Sequence, residues 1–550
     1  MKKIFIYTLP ALAIAAASCA DGYEGDFKMD KPESVEHAEH LASLATLNSV
    51  IDRAQNPNFK LGLAVNSADY ASQGLTYSVA LTNFDMVTDL NALSYSTILN
   101  EDGDIVLTPV TDMFIQDGSK VAGGAMLAYN ALPKAYLEEV ISPTFVKGDL
   151  AIGTILATDF EDDAQGKIYP MTNGSTAVVA ANPSGADGNV LQIGSSSDKA
   201  RNSYAELTFA LPNGLTIGNI TSIVFDLYCP DDKSQKRNFV AIVNGVRKNF
   251  TGDTPDKRGC PLETWMNKLV LDITDVEISD ADKSATEITI GFGPNVNNSY
   301  YFIDNIQFGW TTGVPDKYVE KNEAEKAAAL ADNFSNWADA IMTACAPSIS
   351  DYVVVANPMS DVAPYVLRST ESEAVLDEEG NIVNDMSGMF FFNDYMGDNY
   401  VKTVTDCLSK SYSAAGGVGN AKFYVGESGL VGNAEKTQSL LSQVAAWTNA
   451  GAKIDGIAVA MNNIEASAAN RQAVTDLFTA LGNSGKLIRL DNLSVVNADA
   501  EFYGFIVSEY FRLVKAENRA GIIFAGMGDL WKNNARTDAY EAILNALSTK

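Results

Sequence analysis

Histidine is almost absent from this 550-residue sequence, and the two that occur, His37 and His40, lie close to its start. Zinc sites with imidazole ligands and hydrolases with a Ser-His-Asp triad both need histidine beside the reacting atoms. Neither kind of site can form from the rest of the chain. Any chemistry there must depend on carboxylates, amides, hydroxyls or aromatic rings.

Positive charge is also scarce. Lysine and arginine together number 39 against 69 aspartates and glutamates, which gives a formal net charge of −30. A surface this acidic repels the phosphate backbone of DNA and RNA. The composition therefore excludes nucleic acid as the main partner.

Cysteine is rare and its spacing is irregular. The five cysteines include no Cys-x-x-Cys pair, so a zinc knuckle is not predicted. Cys229 and Cys260 could form a disulfide in an exported protein, whereas buried free thiols are the alternative.

Long apolar runs are missing except near the start. Lys2 and Lys3 precede an apolar stretch over 4–17, which is the pattern of a signal peptide over 1–19 and is too short for a membrane anchor. Small residues followed by Cys19 resemble the bacterial lipobox, in which the cysteine is lipidated; an ordinary secretory signal is the alternative. The acidic residues that follow resemble the surface-export signal of Bacteroidetes lipoproteins. We expect a lipid on Cys19, an acidic tether over 20–40, and an outer-membrane, cell-surface location in which only the lipid enters the membrane.

The pattern of apolar residues divides the remaining chain into three zones. Helical periodicity alternates with short apolar runs over 41–150 and again over 313–550. Between them, over 151–312, short alternating strands are separated by turn signals such as Asn244-Gly245, which is typical of a β-sandwich.

The two outer zones together predict one α/β domain. Apolar strands that are each followed by an amphipathic helix form parallel sheets, and about eight strand candidates fit a (β/α)8 TIM barrel. The sandwich would then be inserted into one of the loops that connect a barrel strand to its helix, because loops tolerate long insertions. A doubly wound open sheet is the alternative.

Several ordered motifs resemble glycoside hydrolase family 10, the endo-1,4-β-xylanases. In the barrel zones they are FKLGLAVN at 59–66, FDMVTDLN at 84–91 and IDGI at 454–457. In the middle zone, DFE at 159–161 and YFIDNI at 301–306 resemble carbohydrate-binding modules of the family 4/22 type. The resemblance implies a (β/α)8 TIM barrel that is interrupted after its third strand by a β-sandwich of jelly-roll type. It also implies a plant polysaccharide such as xylan as ligand.

The two catalytic positions of that family do not carry acids here. Retaining glycosidases need two carboxyl groups about 5–5.5 Å apart. The resemblance places the acid/base at Asn357 and the nucleophile at Asn492. An amide has no titratable proton near neutral pH and is a poor nucleophile. Asp491 is not expected to replace Asn492, because alternation along a strand would point it toward the helices.

Other residues could bind glycan or metal. Sugar rings stack on aromatic faces, and their hydroxyl groups form hydrogen bonds with planar polar side chains. The candidates for glycan binding are Trp265, Tyr228, Tyr300, Tyr129, Asn91 and Trp531. Glu161 and Asp304 resemble structural calcium ligands of such modules, with ordinary surface carboxylates as the alternative. No other cofactor is required.

Three hypotheses follow. The first is a surface glycan-binding lipoprotein that captures xylan or a related polysaccharide for partner enzymes and outer-membrane glycan importer components. The second is a divergent, active endo-1,4-β-xylanase that uses Glu427, Asp361 or Asp529 as its acid. The third is a barrel without a ligand that serves as a scaffold.

Overall fold

The structure is a computed structural model, and it describes residues 31–99, 103–107, 112, 115, 123–129, 132–230, 239–249, 262–294 and 299–548. The chain divides into two compact units, one formed by the segments that end at 142 and begin at 321, the other by 143–320. The predicted signal peptide with Cys19 lies outside the described residues, and so does Cys260. None of the described helices is both long and apolar enough to cross a membrane.

The first segment begins with helix α1. Its strands are β1 (Lys60–Ala64), β2 (Met86–Thr88) and β3 (Gly123–Ala128). Its described helices are α1 (Glu33–Ser43), α2 (Ser67–Ala71), α3 (Leu75–Asn83), α4 (Tyr95–Ile98) and α5 (Lys134–Val140), with a 3-10 turn at Leu47–Val50.

The middle segment is almost entirely β-structure. Its strands are β4 (Thr144–Val146), β5 (Ala151–Thr158), β6 (Ile168–Tyr169), β7 (Ala177–Ala181), β8 (Asn189–Ile193), β9 (Ala205–Ala210), β10 (Ile220–Tyr228), β11 (Phe239–Val243), β12 (Val246–Asn249), β13 (Trp265–Asp272), β14 (Glu287–Pro294), β15 (Tyr301–Thr312) and β16 (Lys317–Val319). Its described helical elements are α6 (Asp280–Lys283) and a 3-10 turn at Ile217–Asn219.

The last segment returns to alternating strands and helices. Its strands are β17 (Asp351–Ala356), β18 (Lys422–Glu427), β19 (Gly456–Ala460), β20 (Leu487–Leu493), β21 (Arg519–Phe524), β22 (Trp531–Lys532) and β23 (Ala535–Arg536). Its helices are α7 (Glu323–Cys345), α8 (Thr370–Glu373), α9 (Phe392–Met396), α10 (Tyr400–Ala414), α11 (Ala434–Asn449), α12 (Ala468–Gly482), α13 (Ala500–Leu513) and α14 (Asp538–Ser548), with 3-10 turns at Val496–Ala498 and Ala516–Asn518.

The outer segments share one parallel sheet of eight strands in the order β2-β1-β21-β20-β19-β18-β17-β3. Neighbours in the sheet are consecutive barrel strands in the chain, apart from the pair β1 and β21, which joins the first barrel strand to the last. A doubly wound sheet would instead reverse its strand order at one point. The Ala125 amide also donates to the Leu90 carbonyl at 3.3 Å, which brings β3 beside the end of β2. The predicted α/β fold is thus confirmed as a curled, eight-stranded parallel sheet consistent with a TIM barrel.

Helix packing explains why these segments fold this way. Helix α7 starts with a reciprocal cap between Asn322 and Glu325, and its buried side chains recur every three or four positions from Leu330 to Cys345. Trp337 and Trp447 are buried in the core of this unit. Such stripes cover the outer face of a sheet whose own strands are apolar on both faces.

Both histidines bind the last helix. They lie one turn apart on α1, and their imidazole Nε2 atoms are 2.7 Å and 2.8 Å from carboxylate oxygens of Asp538 and Glu541 on α14. Residues 33–40 of the predicted tether are thus helical and contact the barrel unit.

The middle unit contains two antiparallel sheets. One has the order β13-β10-β15-β8-β7-β6, with β5 paired to β15, and the other has the order β12-β11-β14-β9. Side chains from both sheets fill one core, where the Phe225 and Phe292 rings are 5.0 Å apart and the Phe239 and Tyr301 rings are also 5.0 Å apart. Cys229 is disulfide-bonded, whereas Cys345 and Cys407 are free thiols.

Candidate functional site

The carboxyl ends of the barrel strands surround a cavity of about 340 Å³, which is called the barrel cavity below. It is formed mainly by residues at the ends of β2, β3, β17, β18, β19 and β20. Its lining residues are Thr88, Leu90, Asn91, Ser94, Gly124, Ala125, Ala128, Val353, Ala356, Asn357, Gly426, Glu427, Ala458, Ala460, Asp491 and Asn492. Catalytic groups of (β/α)8 enzymes lie at this end of the barrel, so this is the candidate site.

Both predicted amide positions line the barrel cavity. Asn357 follows β17 with φ 51°, and its Oδ1 accepts a hydrogen bond from the Ser428 amide at 3.0 Å. Asn492 lies near the end of β20 with φ 54°. Asparagine is one of the few residues that tolerate this left-handed conformation.

The backbone at Asn492 also moves Asp491 into the cavity wall. The register between β20 and β21 shifts between Leu490 and Leu493, where the left-handed residue interrupts the alternation. As a result Asp491 and Asn492 both line the barrel cavity. The prediction that Asp491 points toward the helices is therefore wrong.

Asp491 is held by an arginine two residues earlier on the same strand. Arg489 Nε lies 2.7 Å from Asp491 Oδ1 and Nη2 lies 2.8 Å from Oδ2, which is a bidentate pair. Arg489 is only 2% exposed, and its guanidinium carbon lies 4.6 Å from the centre of the Tyr424 ring. Both carboxylate oxygens of Asp491 are thus occupied by a permanent cation.

Glu427, the candidate replacement acid, is equally occupied. Its Oε1 lies 2.9 Å from Lys436 Nζ, and its Oε2 accepts a hydrogen bond from the Met359 amide at 3.1 Å. Both Glu427 and Lys436 are 1% exposed. Burial raises the pKa of the Glu427 carboxyl, and the attraction of Lys436 offsets only part of that shift.

Asp361, the second candidate acid, belongs to the same network. Its Oδ1 lies 2.6 Å from Lys436 Nζ and its Oδ2 2.6 Å from Arg368 Nη2. Burial alone would raise the pKa of Asp361. The hydrogen bonds from Lys436 and Arg368 outweigh burial, so the pKa of this carboxyl lies below its ordinary value. Asp361 is therefore a carboxylate at neutral pH and has no proton to donate.

Tyr129, Asn91, Trp531 and Asp529 have different surroundings. The Arg368 guanidinium covers the Tyr129 ring at 4.1 Å. Asn91 is exposed and lines the barrel cavity. Trp531 is 9% exposed and packs in the core against Tyr540, while Asp529 lies outside the barrel cavity and accepts a hydrogen bond from Tyr503 at 2.6 Å.

The predicted aromatic residues of the middle unit lie together on one sheet. The Trp265 ring lies 5.4 Å from Tyr228, and Phe302 lies between Tyr228 at 5.9 Å and Tyr300 at 6.2 Å. Trp265 and Tyr300 are half-buried, whereas Tyr228 and Phe302 are buried. This aromatic cluster, Trp265, Tyr228, Phe302 and Tyr300, joins three of the predicted glycan-binding residues; Phe302 gave no signal in the sequence that separates it from a core residue.

The predicted calcium ligands, Glu161 and Asp304, lie in an acidic group of the middle unit. Burial raises the pKa of Asp304 to about 7, and the neighbouring carboxylates of Asp226, Glu161 and Asp159 add to the rise. Glu161 Oε1 accepts a hydrogen bond from the Asn189 amide at 2.9 Å. Within the described ranges, no three acidic, cysteine or histidine side chains are arranged around a common metal position. The charge of the group would suit a cation such as calcium, and the calcium site stays a prediction.

We expect Asp304→Asn to stabilise the middle unit at pH 8 and to change little at pH 4. A carboxyl whose pKa is about 7 when folded and 3.8 otherwise binds a proton on folding, so its contribution falls as pH rises from 4 to 7. Because the side chain is partly exposed, solvent screening reduces the effect to about 1–2 kcal/mol. Melting temperatures of both proteins across this pH range measure it, with Asp162→Asn as a control that removes the same charge from an exposed site. A lower melting temperature of the variant at pH 8 would contradict the prediction. If calcium raised the melting temperature of the unsubstituted protein but not that of the variant, Asp304 would be a metal ligand.

Comparison with known proteins gives only distant likeness. No family model and no curated protein matches the chain. Similar solved structures include a mutant xylanase from Cellvibrio japonicus in complex with xylopentaose (11% identity, 70% of this chain and 98% of that chain, TM-score 0.33) and an endo-1,4-beta-xylanase from Caldicellulosiruptor owensensis (10%, 91% and 100%, 0.45). An intracellular xylanase from Thermoanaerobacterium saccharolyticum is 13% identical over 91% of this chain and 98% of that chain, with a TM-score of 0.42. At this level the likeness says nothing about activity, and the assignment of the fold rests on the strand order and register of this chain.

Proposed function

We propose that this protein binds a xylan-type polysaccharide without hydrolysing it. The observation that supports the proposal is the state of the two acids in the barrel cavity: Glu427 is paired with Lys436, and Asp491 with Arg489. Hydrolysis of a glycosidic bond needs one acid that gives a proton and a second carboxylate that attacks the sugar or activates water. Two carboxylates held by buried cations supply neither role.

The sequence resemblance adds to this proposal. The positions that it assigns to the acid/base and the nucleophile are Asn357 and Asn492, and both line the barrel cavity. Their amides can donate and accept hydrogen bonds with sugar hydroxyls but cannot transfer a proton. The same positions therefore favour binding over bond cleavage.

The middle unit is proposed to be a carbohydrate-binding module of jelly-roll type. Its aromatic cluster has two half-buried rings, Trp265 and Tyr300, which would stack on sugar C–H faces. The Trp265 indole nitrogen donates to Asn182 Oδ1 at 3.2 Å, which fixes the plane of the ring. A fixed ring loses less conformational entropy when a sugar binds.

The cellular setting is also proposed from the sequence. A lipid on Cys19 would hold the protein at the outer surface of the cell, where it captures polysaccharide for glycan importer components and partner enzymes. The divergent hydrolase is the competing function, and the raised pKa of Glu427 favours it because a general acid must hold its proton near neutral pH.

Two assays on the purified protein test the proposal. We expect no reducing sugar above background from xylan, and retarded migration in xylan-containing native gels. Release of reducing sugar that disappears in Glu427→Gln would establish the hydrolase instead. Unretarded migration in every gel of a polysaccharide panel would leave only a scaffold role.

A single substitution tests the aromatic cluster. Trp265→Ala should weaken retardation about tenfold, because the stacking face and its fixed orientation are lost together. Tyr318→Ala is the matched control, since Tyr318 is 72% exposed in the same unit and lies outside the cluster. Equal retardation of the Trp265 variant and the control would exclude the cluster from binding.

A further inference from the structure

The barrel cavity is hollow because its lining side chains are small. Inward positions of a (β/α)8 barrel are normally filled by bulky branched residues. Here the strand ends carry glycine and alanine instead, at Ala125, Ala128, Ala356, Gly426, Ala458 and Ala460. The space left open, about 340 Å³, is at the lower end of the roughly 300–1,000 Å³ typical of small-molecule sites.

Unpaired polar groups line this space. Thr88 is 2% exposed, and its Oγ1 makes no hydrogen bond in the part of the chain that the structure describes. Among the same residues no hydrogen bond is formed by the side chain of Asn492. Buried hydroxyl groups are nearly always paired, so an unpaired one beside a cavity indicates a missing partner.

The charges restrict the kind of partner. The cavity's two carboxylates are each neutralised by a buried cation, Lys436 for Glu427 and Arg489 for Asp491. An anion would meet no free cation there, and a cation would meet no free carboxylate. A neutral molecule rich in hydroxyl groups matches hydroxyl and amide partners.

The lining also restricts the shape of the partner. No aromatic side chain is found among the described residues that line the barrel cavity, so there is no flat face along which several sugars could lie. The alanine methyl groups offer only a short apolar surface. A compact ring fits this space better than an extended stretch of chain.

We infer that the barrel cavity binds one neutral sugar ring, either a free monosaccharide or the terminal residue of a polysaccharide chain. Thr88 and Asn492 supply hydrogen bonds, and the alanines contact the C–H groups. The inference rests on the proposed function, which it deepens: the barrel recognises an end or a released unit, whereas the aromatic cluster belongs to the other unit.

Calorimetric titration of the whole protein with D-xylose, xylotriose and D-glucuronate tests the inference. We expect the two neutral sugars to bind and the charged one not to bind. Xylotriose binding at least as tightly as xylose would indicate a chain end, and xylose binding alone would indicate the free sugar. Equal binding of D-glucuronate would overturn the inference.

Two variants locate the sugar. Asn492→Gly removes the amide and keeps the left-handed backbone that glycine adopts freely, and Thr88→Val removes a hydroxyl while keeping the volume. Each should weaken sugar binding about tenfold, while the melting temperature of the Thr88 variant stays equal or rises because an unpaired buried hydroxyl is gone.

The controls separate this inference from the proposed function. Thr88→Ser and Asn533→Gly should bind as the unsubstituted protein does, since the first keeps the hydroxyl and the second changes an exposed left-handed asparagine elsewhere. Unchanged sugar binding in both test variants overturns the inference. If xylan gels retard the unsubstituted protein but calorimetry detects no sugar binding, the inference is overturned and the proposed function stands. If the unsubstituted protein is not retarded in xylan gels, the proposed function itself is contradicted.

Discussion

Lys436→Met should lower the free energy of unfolding of the barrel unit by about 3–5 kcal/mol, the usual cost of leaving one partner of a buried ion pair without the other. Among the described residues Lys436 is the only cation paired with Glu427, with its Nζ 2.9 Å from Oε1, and Nζ also donates to the Ser428 carbonyl at 2.9 Å. Without it, a carboxylate that is 1% exposed has no counter-charge. Urea titration followed by tryptophan fluorescence measures the loss.

The stability lost in Lys436→Met should depend on pH. Burial already raises the pKa of Glu427, and loss of Lys436 removes the attraction that opposes the rise. A folded state that holds this proton more tightly than the unfolded chain loses stability as pH rises through the unfolded pKa toward the folded one. The deficit of the variant should therefore be smaller near pH 4 than at pH 8.

Two controls accompany the Lys436 variant. Glu427→Gln combined with Lys436→Met should regain most of the stability, because an amide is less costly to bury than a charge. Lys402→Met breaks a surface pair with Asp406 and should cost less than about 1 kcal/mol. Equal costs for Lys436 and Lys402 would show that the buried network is not a source of stability.

Arg489→Met should destabilise the barrel unit by about 3 kcal/mol. The substitution leaves Asp491, which is 8% exposed, without its cationic partner, and it removes the contact with the Tyr424 ring. The expected cost is at the low end of the range for buried pairs because Asp491 lines a cavity that water can enter. Urea titration again measures it.

A conservative variant distinguishes charge from geometry at this position. Arg489→Lys keeps a cation but cannot form two parallel hydrogen bonds with one carboxylate, so we expect it to regain only part of the loss. Combining Arg489→Met with Asp491→Asn should regain more, since no buried charge is left. Full stability in Arg489→Met alone would contradict a structural role for the pair.

Much of the barrel is predictable from sequence because its strands are apolar and its helices amphipathic. The pattern predicts a strand over 487–493, which is the observed extent of β20, and a helix over 321–343, where α7 covers Glu323–Cys345. The strand is a short, mostly apolar run that is buried on both faces, whereas the helix buries one periodic face, and both patterns are visible in a single sequence. The amides at Asn357 and Asn492, where the resemblance places two acids, are likewise evident from the residue types alone.

The contacts of the site could not be predicted in the same way. A left-handed residue at Asn492 interrupts strand alternation, and no periodic pattern announces it. The pairing of Glu427 with Lys436 crosses the loop between β18 and α11, so it depends on the path of that loop. Trp531 follows the last barrel strand in sequence, but it is packing against Tyr540 that buries it.

The ends of the middle unit lie side by side. Strands β4 and β16 pair antiparallel from Thr144↔Val319 to Val146↔Lys317, and in the barrel unit Lys321 Nζ donates to the Ser142 carbonyl. Because the two ends of the middle unit lie next to each other, the residues between them can be deleted, lengthened or replaced without changing the distance between those ends. The entropic cost of such a change is small. The middle unit can therefore be replaced as a whole during evolution while the barrel strands before and after it keep their register.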